Sequence, residues 1–291
     1  MRIHRLLVLA LVLVALSHAH AVAETPKSGA VAQREAEQAL LGHDPETIRQ
    51  ALDTLAKSGN AQAATAIATR LHRGLPTQLI EPAIAALVAL NKPSAGPVLL
   101  ELTLHRNAHV RQQAVAGLGA LKLQSAQPVL LRELDDPNPD VRAAAVEALG
   151  KAGNARALPG LLHALDRGIA HAMEAIGAIA TPQDLKVILE RAAPGDLTPV
   201  RPALQAMLER ADFPLQGKLT LIQEVAKLSW PSARACLVAW LDAWKNTGDP
   251  RLRQALFGGI KHIDQAAKSE VATAEPGAAT RTLVRRTEVR P

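Results

Sequence analysis

Glu101, His105 and His109 stand four residues apart. On one uninterrupted helix they would share a face, and a carboxylate with two imidazoles at that spacing is a donor set for a divalent metal. Arg106-Asn107-Ala108 breaks that geometry, because it falls where the chain is expected to turn between helices. The histidines therefore read as solvated, and neither a metal nor any other cofactor is expected. His163 and His171 flank a turn, where two surface imidazoles explain them as well as an approach to each other does. No HExxH, GxSxG, Walker A or GxGxxG pattern occurs. Gly117-Leu118-Gly119 lies inside a helical pattern and cradles nothing. Cys236, the only cysteine, sits in the apolar run ACLVAWL without a histidine partner and reads as a small buried hydrophobe. No residue set points to catalysis.

The other group able to do chemistry is aromatic. The chain has three Trp, two Phe and no Tyr, so Trp230, Trp240 and Trp244 stand out. Trp240 and Trp244 are one helical turn apart and share a face. Two readings stay open: a core that seals the C-terminal end of the molecule, or an aromatic anchor for a partner, since tryptophan is enriched at binding hot spots. Phe257 joins the cluster in either reading.

The elements that must position these residues follow from composition and period. Apolar residues make up 48 % of 291 residues and aromatics 2 %, leaving Ala, Leu, Val and Ile to form the core. Ala and Leu favour helices, and small side chains suit close helix stacking better than a β-sandwich. The net charge of +6 is concentrated at the ends. Arg2 and Arg5 lie near the start, and Arg281, Arg285, Arg286 and Arg290 crowd the end against Glu288 alone. The middle is nearly balanced and lacks a basic stripe with stacking aromatics, so nucleic acid is not an expected partner.

Residues 1–23 read as a signal peptide. Arg2, His4 and Arg5 precede the apolar run Leu6 to Leu16, and Ala21-Val22-Ala23 offers a small-x-small cleavage site. The run would span only ~17 Å as a helix, against a hydrocarbon core of ~30 Å. Cleavage after Ala23 or Ala21 predicts a mature chain beginning near Glu24, in a bacterial periplasm or outside the cell. An uncleaved leader that holds an envelope protein to the membrane is the alternative.

Self-similarity decides the fold class. HVRQQAVAGLGALKLQSAQPVLLREL (109–134) repeats in DVRAAAVEALGKAGNARALPGLLHAL (140–165), with Val110, Arg111, Val115, Leu118 and Gly119 each recurring 31 residues later. Leu79, Ile84, Leu87 and Leu90 fall in the same register one period earlier. Weaker copies begin at 44, 168, 199 and 249. Each unit reads as two helices. In the clearest one, Asp136 to Asp140 is a turn, and Val141, Ala145 and Leu149 make the stripe of the first helix. Gly153 is expected to end that helix in a left-handed conformation, and Asn154 to cap the next. Leu158, Leu161, Leu162 and Leu165 make the second stripe, with Pro159 expected to kink it. One helical hairpin cannot bury both faces, so neighbours must stack, and the Ala143–Ala145 face is expected to permit their close approach.

The frame carried by DPNPDVRAAAVEALGKAGNARALPGLLHAL (136–165) resembles the HEAT-like repeat of phycobilisome-lyase-type proteins. The resemblance covers most of 43–210 and fades beyond. It implies an all-α, right-handed α-α superhelix and, in most members, protein–protein scaffolding; some members attach or isomerise bilins. It also implies a ladder in which an arginine near each first-helix start pairs with an aspartate of the interhelix turn. The matching positions here are Arg49, Arg111, Arg142, Arg201 and Arg253, with Asp44, Asp136, Asp140 and Asp249 as partners and N-caps. The unit 79–104 departs, with Ile80 where arginine is expected, and so does 168–192.

The expected organisation is a signal peptide (1–23), a linker with a short capping helix from Gln33 to Leu41 (24–42), a HEAT-like solenoid (43–265) and a disordered basic tail (266–291). The expected function is non-catalytic binding of a protein partner, with Gln112, Gln113, Glu147, Lys186, Glu190 and the tryptophans offering contacts. A lyase-like or accessory enzyme subunit is the alternative.

Overall fold

The computed structural model describes residues 29–244 and 249–274. The expected signal peptide, the linker before residue 29 and the tail beyond 274 lie outside them. Regular structure among the described residues consists of fifteen α-helices with short 3-10 turns, and no strand occurs there. None of these helices is long and apolar enough to cross a membrane. The described residues divide into two compact units, with the boundary between Ser94 and Ala95.

The first unit holds α1 (Gly29–Ala39), α2 (Pro45–Lys57), α3 (Ala61–His72) and α4 (Thr77–Leu90). Asp44 starts α2 by accepting a hydrogen bond from the Thr47 amide at 2.8 Å, and Pro45 follows in the first turn, where its missing N–H costs nothing. Ile48, Leu52 and Leu55 form a fully buried stripe on α2, which packs on α1 and α4. Helix α1 docks through Asn60, whose Nδ2 donates to the Gln33 side chain at 3.1 Å, and through Arg70, whose Nε donates to the Leu40 carbonyl at 2.9 Å. It begins four residues before the predicted start at Gln33.

The second unit opens with pairs of helices on a fixed period. Second helices α5 (Gly96–Leu102), α7 (Gln127–Glu133) and α9 (Leu158–Asp166) start 31 residues apart, each led by a 3-10 turn. First helices α6 (Ala108–Ala120) and α8 (Pro139–Ala152) keep the same interval, capped by Asn107 and Asn138. The next unit is four residues shorter, with α10 (Ala172–Ile179) and α11 (Leu185–Leu189). It loses its N-cap, and His171 takes a left-handed conformation (φ 62°) where the two preceding units have an extended asparagine. The unit continues through α12 (Arg201–Glu209), α13 (Leu215–Lys227), α14 (Pro231–Ala243) and α15 (Pro250–Ala274).

The first helices stack in order: α6 on α8, α8 on α10, and α10 on α12. The glycine of the repeated Leu-Gly or Ile-Gly pair makes each contact. A Cβ on Gly119 would lie 2.6 Å from the Ala148 Cα, one on Gly150 would lie 3.1 Å from the Ala175 Cα, and one on Gly177 would lie 2.4 Å from the Ala203 carbonyl oxygen. The close approach therefore rests on glycine against alanine rather than on the alanine run 143–145.

Four local expectations are corrected. Gly153 is extended (φ −76°, ψ 179°), not left-handed. Its side chain is excluded because a Cβ would sit 2.4 Å from the Leu149 carbonyl oxygen. Pro159 lies in the first turn of α9 and kinks nothing, because Asn154 caps the preceding 3-10 turn and α9 starts only at Leu158. Asp140 is not the cap of α8. That role falls to Asn138, whose side chain accepts from the Asp140 amide at 2.8 Å, leaving Asp140 exposed in the first turn. Helix α15 runs on to Ala274, nine residues past the expected end of the repeats at Gln265.

Candidate functional site

The 31-residue spacing of Arg111 and Arg142 has a structural consequence at the edge where second helices end and first helices begin. Arg111, on α6, forms a two-pronged pair with Asp136 of the following unit: Nε donates to Oδ2 at 2.7 Å and Nη2 to Oδ1 at 2.8 Å. The side chains are 14 % and 5 % exposed. Its Nη1 donates to the His105 carbonyl at 3.0 Å, satisfying a group that no helix bonds. The Asn138 amide donates to Asp136 as well, at 2.8 Å. Hydrogen bonding by Arg111 holds the Asp136 carboxyl below the usual carboxylate range, although burial pulls the other way.

Arg142 repeats only half of this pattern. Its Nη1 donates to the Asp136 and Pro137 carbonyls at 2.9 and 3.1 Å, the equivalents of His105 and Arg106. The rung stops there because the residue one period after Asp136 is Arg167, which pairs instead with Asp135. Of the expected ladder, Arg49 is a surface residue 3.9 Å from Glu46, and Arg201 is exposed on α12. Arg253 lies on α15, where Asp249 holds Arg251 at 2.8 Å. A second acid at this edge escaped the sequence reading: Glu133 is 4 % exposed and accepts from Arg132 Nη2 at 2.8 Å.

The stacked first helices carry the other candidates. Gln112 and Gln113 are half-buried on α6, and Glu147 is exposed on α8. Glu147 lies 3.6 Å from Lys151 and borders a groove of about 250 Å³ between α8 and α10. Glu174 and His171 form its far side, and Gly150, Ala175 and Ala178 its floor. Glu174 occupies on α10 the register that Glu147 occupies on α8. It belongs to the same acidic rim, and the departure of unit 168–192 from the repeat pattern hid it. Lys186 and Glu190 are exposed at α11, away from this groove.

The tryptophans do not form one patch. Trp240 is 6 % exposed in the core of α14, Trp230 is half-buried at the N-cap of that helix, and Trp244 ends it half-buried beside a cavity. Phe257 does not join them; it is 62 % exposed on α15. His105 turns its Nδ1 to the Asn107 amide at 3.1 Å, as part of the turn that separates it from His109. His163 and His171 are both exposed. No group of three or more metal-ligating side chains gathers among the described residues. Cys236 is buried, and burial pushes its thiol up to about 11, against a small opposing pull from Arg201.

A family model for HEAT repeats matches residues 96–170 and 133–209. The matched stretch is the part of the second unit in which the period and the glycine contacts repeat, and the fold is an all-α solenoid. Among solved structures, the chain is similar to the complex of CpcE and CpcF of phycocyanin lyase from a Nostoc species, at 20 % identity over 79 % of this chain and 94 % of that chain, with a TM-score of 0.46. It is similar to human deoxyhypusine hydroxylase in complex with glycerol, at 17 % identity over 83 % of this chain and 100 % of that chain, TM-score 0.38. It is also similar to a designed armadillo repeat protein, at 17 % identity over 79 % and 98 %, TM-score 0.36. No curated protein matches the chain.

Proposed function

We propose that this chain is an exported, non-catalytic scaffold whose HEAT repeats hold a protein partner in the bacterial cell envelope. The observation that supports this reading is the stack of α6, α8 and α10. Gly119 and Gly150 seat each helix directly on the next, so polar side chains on successive helices stand at a fixed spacing. Rigid display of this kind lowers the ordering cost of binding, because the surface is arranged before the partner arrives. Export is supported by the leader-like residues 1–23 and predicts a mature N-terminus near Glu24.

Site-specific photocrosslinking tests the proposal in the producing cell. A photoreactive residue placed at Gln112, Glu147 or Glu174 should give one common adduct, whereas the same residue at exposed Arg156 should not. Equal adducts at all four positions, or none at the first three, would sink it. N-terminal sequencing of the crosslinked chain tests export separately.

A further inference from the structure

The second unit contains a cavity of about 480 Å³ where α12, α13, the end of α14 and the start of α15 converge. Its size lies within the range of ~300–1,000 Å³ usual for small-molecule sites. Phe213, Leu215, Trp244 and Leu252 form an apolar wall, and Glu209, Lys218 and Asp249 supply the ionisable groups. Two of the chain's five aromatic residues thus meet at one cavity.

The hydrogen bonds around the cavity show which charge is available. Asp249 is occupied: its carboxylate accepts from the Arg251 amide at 2.8 Å and from Arg251 Nε and Nη2 at 3.1 and 2.8 Å. Asp212, the acid whose charge acts on Lys218, is held by Arg210 through Nε at 3.1 Å and Nη2 at 2.8 Å. Glu209 is exposed and accepts from Gln205 at 2.8 Å. Lys218 is half-buried, and its ammonium has no hydrogen-bond or ion-pair partner among the described residues. Burial lowers the Lys218 pKa below the usual lysine value. The charge that lacks a counterion is therefore a cation, partly withdrawn from water, beside an aromatic and aliphatic wall.

We propose that this cavity binds a small amphipathic carboxylate, its anionic end on Lys218 and its apolar body against Trp244 and Leu252. A carboxylate would supply the missing counterion in a partly desolvated place, where a charge-assisted hydrogen bond is stronger than in water. An apolar chain or ring would cover the aromatic wall. A cationic amphiphile would meet an unpaired ammonium, while the nearest acids are engaged or at the rim. This site is independent of the scaffold reading and does not require a protein partner.

Calorimetry and tryptophan emission on the full mature chain, with decanoate, decanol and decylamine as probes, test the assignment. Decanoate should bind saturably and shift the emission, decanol should bind more weakly, and decylamine should bind least. Lys218→Met should weaken decanoate at least about tenfold and leave decanol unchanged, as loss of one charge-assisted contact requires. Lys218→Arg should keep the preference for the anion, and Trp244→Phe should remove the emission change while decanoate still binds. Circular dichroism checks that each variant is folded. Absence of saturable decanoate binding, equal binding of decylamine, or an unaltered decanoate affinity in folded Lys218→Met would overturn the proposal.

Discussion

The glycine contacts between first helices permit a graded prediction. Replacing a mid-helix glycine by alanine should stabilise an exposed helix by roughly 0.8–1 kcal/mol, because the unfolded chain loses freedom and the helix gains a better former. Opposing this, overpacking an interface costs typically ~1–3 kcal/mol. The geometry decides which wins at each position. At Gly150 the new methyl would lie 3.1 Å from the Ala175 Cα and 3.2 Å from its Cβ, so α10 needs to yield by only a few tenths of an ångström. Gly150→Ala should be close to neutral. At Gly119 the methyl would lie 2.6 Å from the Ala148 Cα and 2.7 Å from its Cβ, and at Gly177 it would lie 2.4 Å from the Ala203 carbonyl oxygen. Backbone atoms cannot rotate aside, so these two changes should cost about 1–2 kcal/mol net. Urea unfolding followed by circular dichroism reads the order from the midpoints, provided the slope stays constant. Ala148→Gly should relieve only part of the Gly119→Ala penalty, since the clash with the Ala148 Cα remains. The packing argument is wrong if Gly119→Ala matches or exceeds the parent stability, or if Gly150→Ala proves the most harmful of the three.

Asp136→Asn should destabilise the chain by about 1–3 kcal/mol, because it leaves the half-buried Arg111 guanidinium without its charged partner; denaturant midpoints measure it. The Asp136 carboxyl is depressed in the folded state, so its contribution is complete above an unfolded value of about 4 and is lost as pH falls through the folded value. Stability measured from pH 6 downward should therefore fall less steeply in Asp136→Asn than in the parent. Asn138→Ala removes the acceptor for two amides of α8 and should cost about 1 kcal/mol in the same assay. Cys236 should resist iodoacetamide at pH 8 in the native chain and react promptly in denaturant, as thiol mass labelling will show; rapid native labelling contradicts its burial.

Much of the repeat architecture was legible because it is written in local chemistry. Val141, Ala145 and Leu149 mark one helix face, Asn138 and Pro139 start the helix, and the 31-residue offset sets the position of the next pair. What the sequence left hidden depends on distances between units. Gly119 and Gly150 were visible as repeated letters, but their role emerges only when Ala148 and Ala175 lie against them. Gly153 shows the converse error: a glycine at a helix end suggested a left-handed cap, yet contact with a carbonyl is what excludes a side chain there. The tryptophans were noticed for their rarity and grouped by spacing along one helix. That spacing says nothing of the neighbours that bury Trp240 and leave Trp244 beside a cavity.

The arginine edge shows why a repeated motif does not guarantee a repeated interaction. Arg111 and Arg142 bind the turn carbonyls in the same way, because those carbonyls belong to the motif itself. The charged rung requires a carboxylate one unit further on, and that position holds His105, Asp136 and Arg167 in successive units. A single substitution in the period converts an attractive pair into two cations, and the chain answers by turning Arg167 to Asp135. Backbone capping is thus the part of the device that propagates, while the ion pair is an addition at one interface. An Arg167→Asp change should place a carboxylate one period beyond Asp136, within the register that Arg142 would need for a second rung. If Arg142 then pairs with it, the double-mutant cycle of Arg167→Asp with Arg142→Met will show a favourable coupling of at least about 0.5 kcal/mol. Coupling near zero would mean that the turn, rather than the acid, sets the direction of the guanidinium.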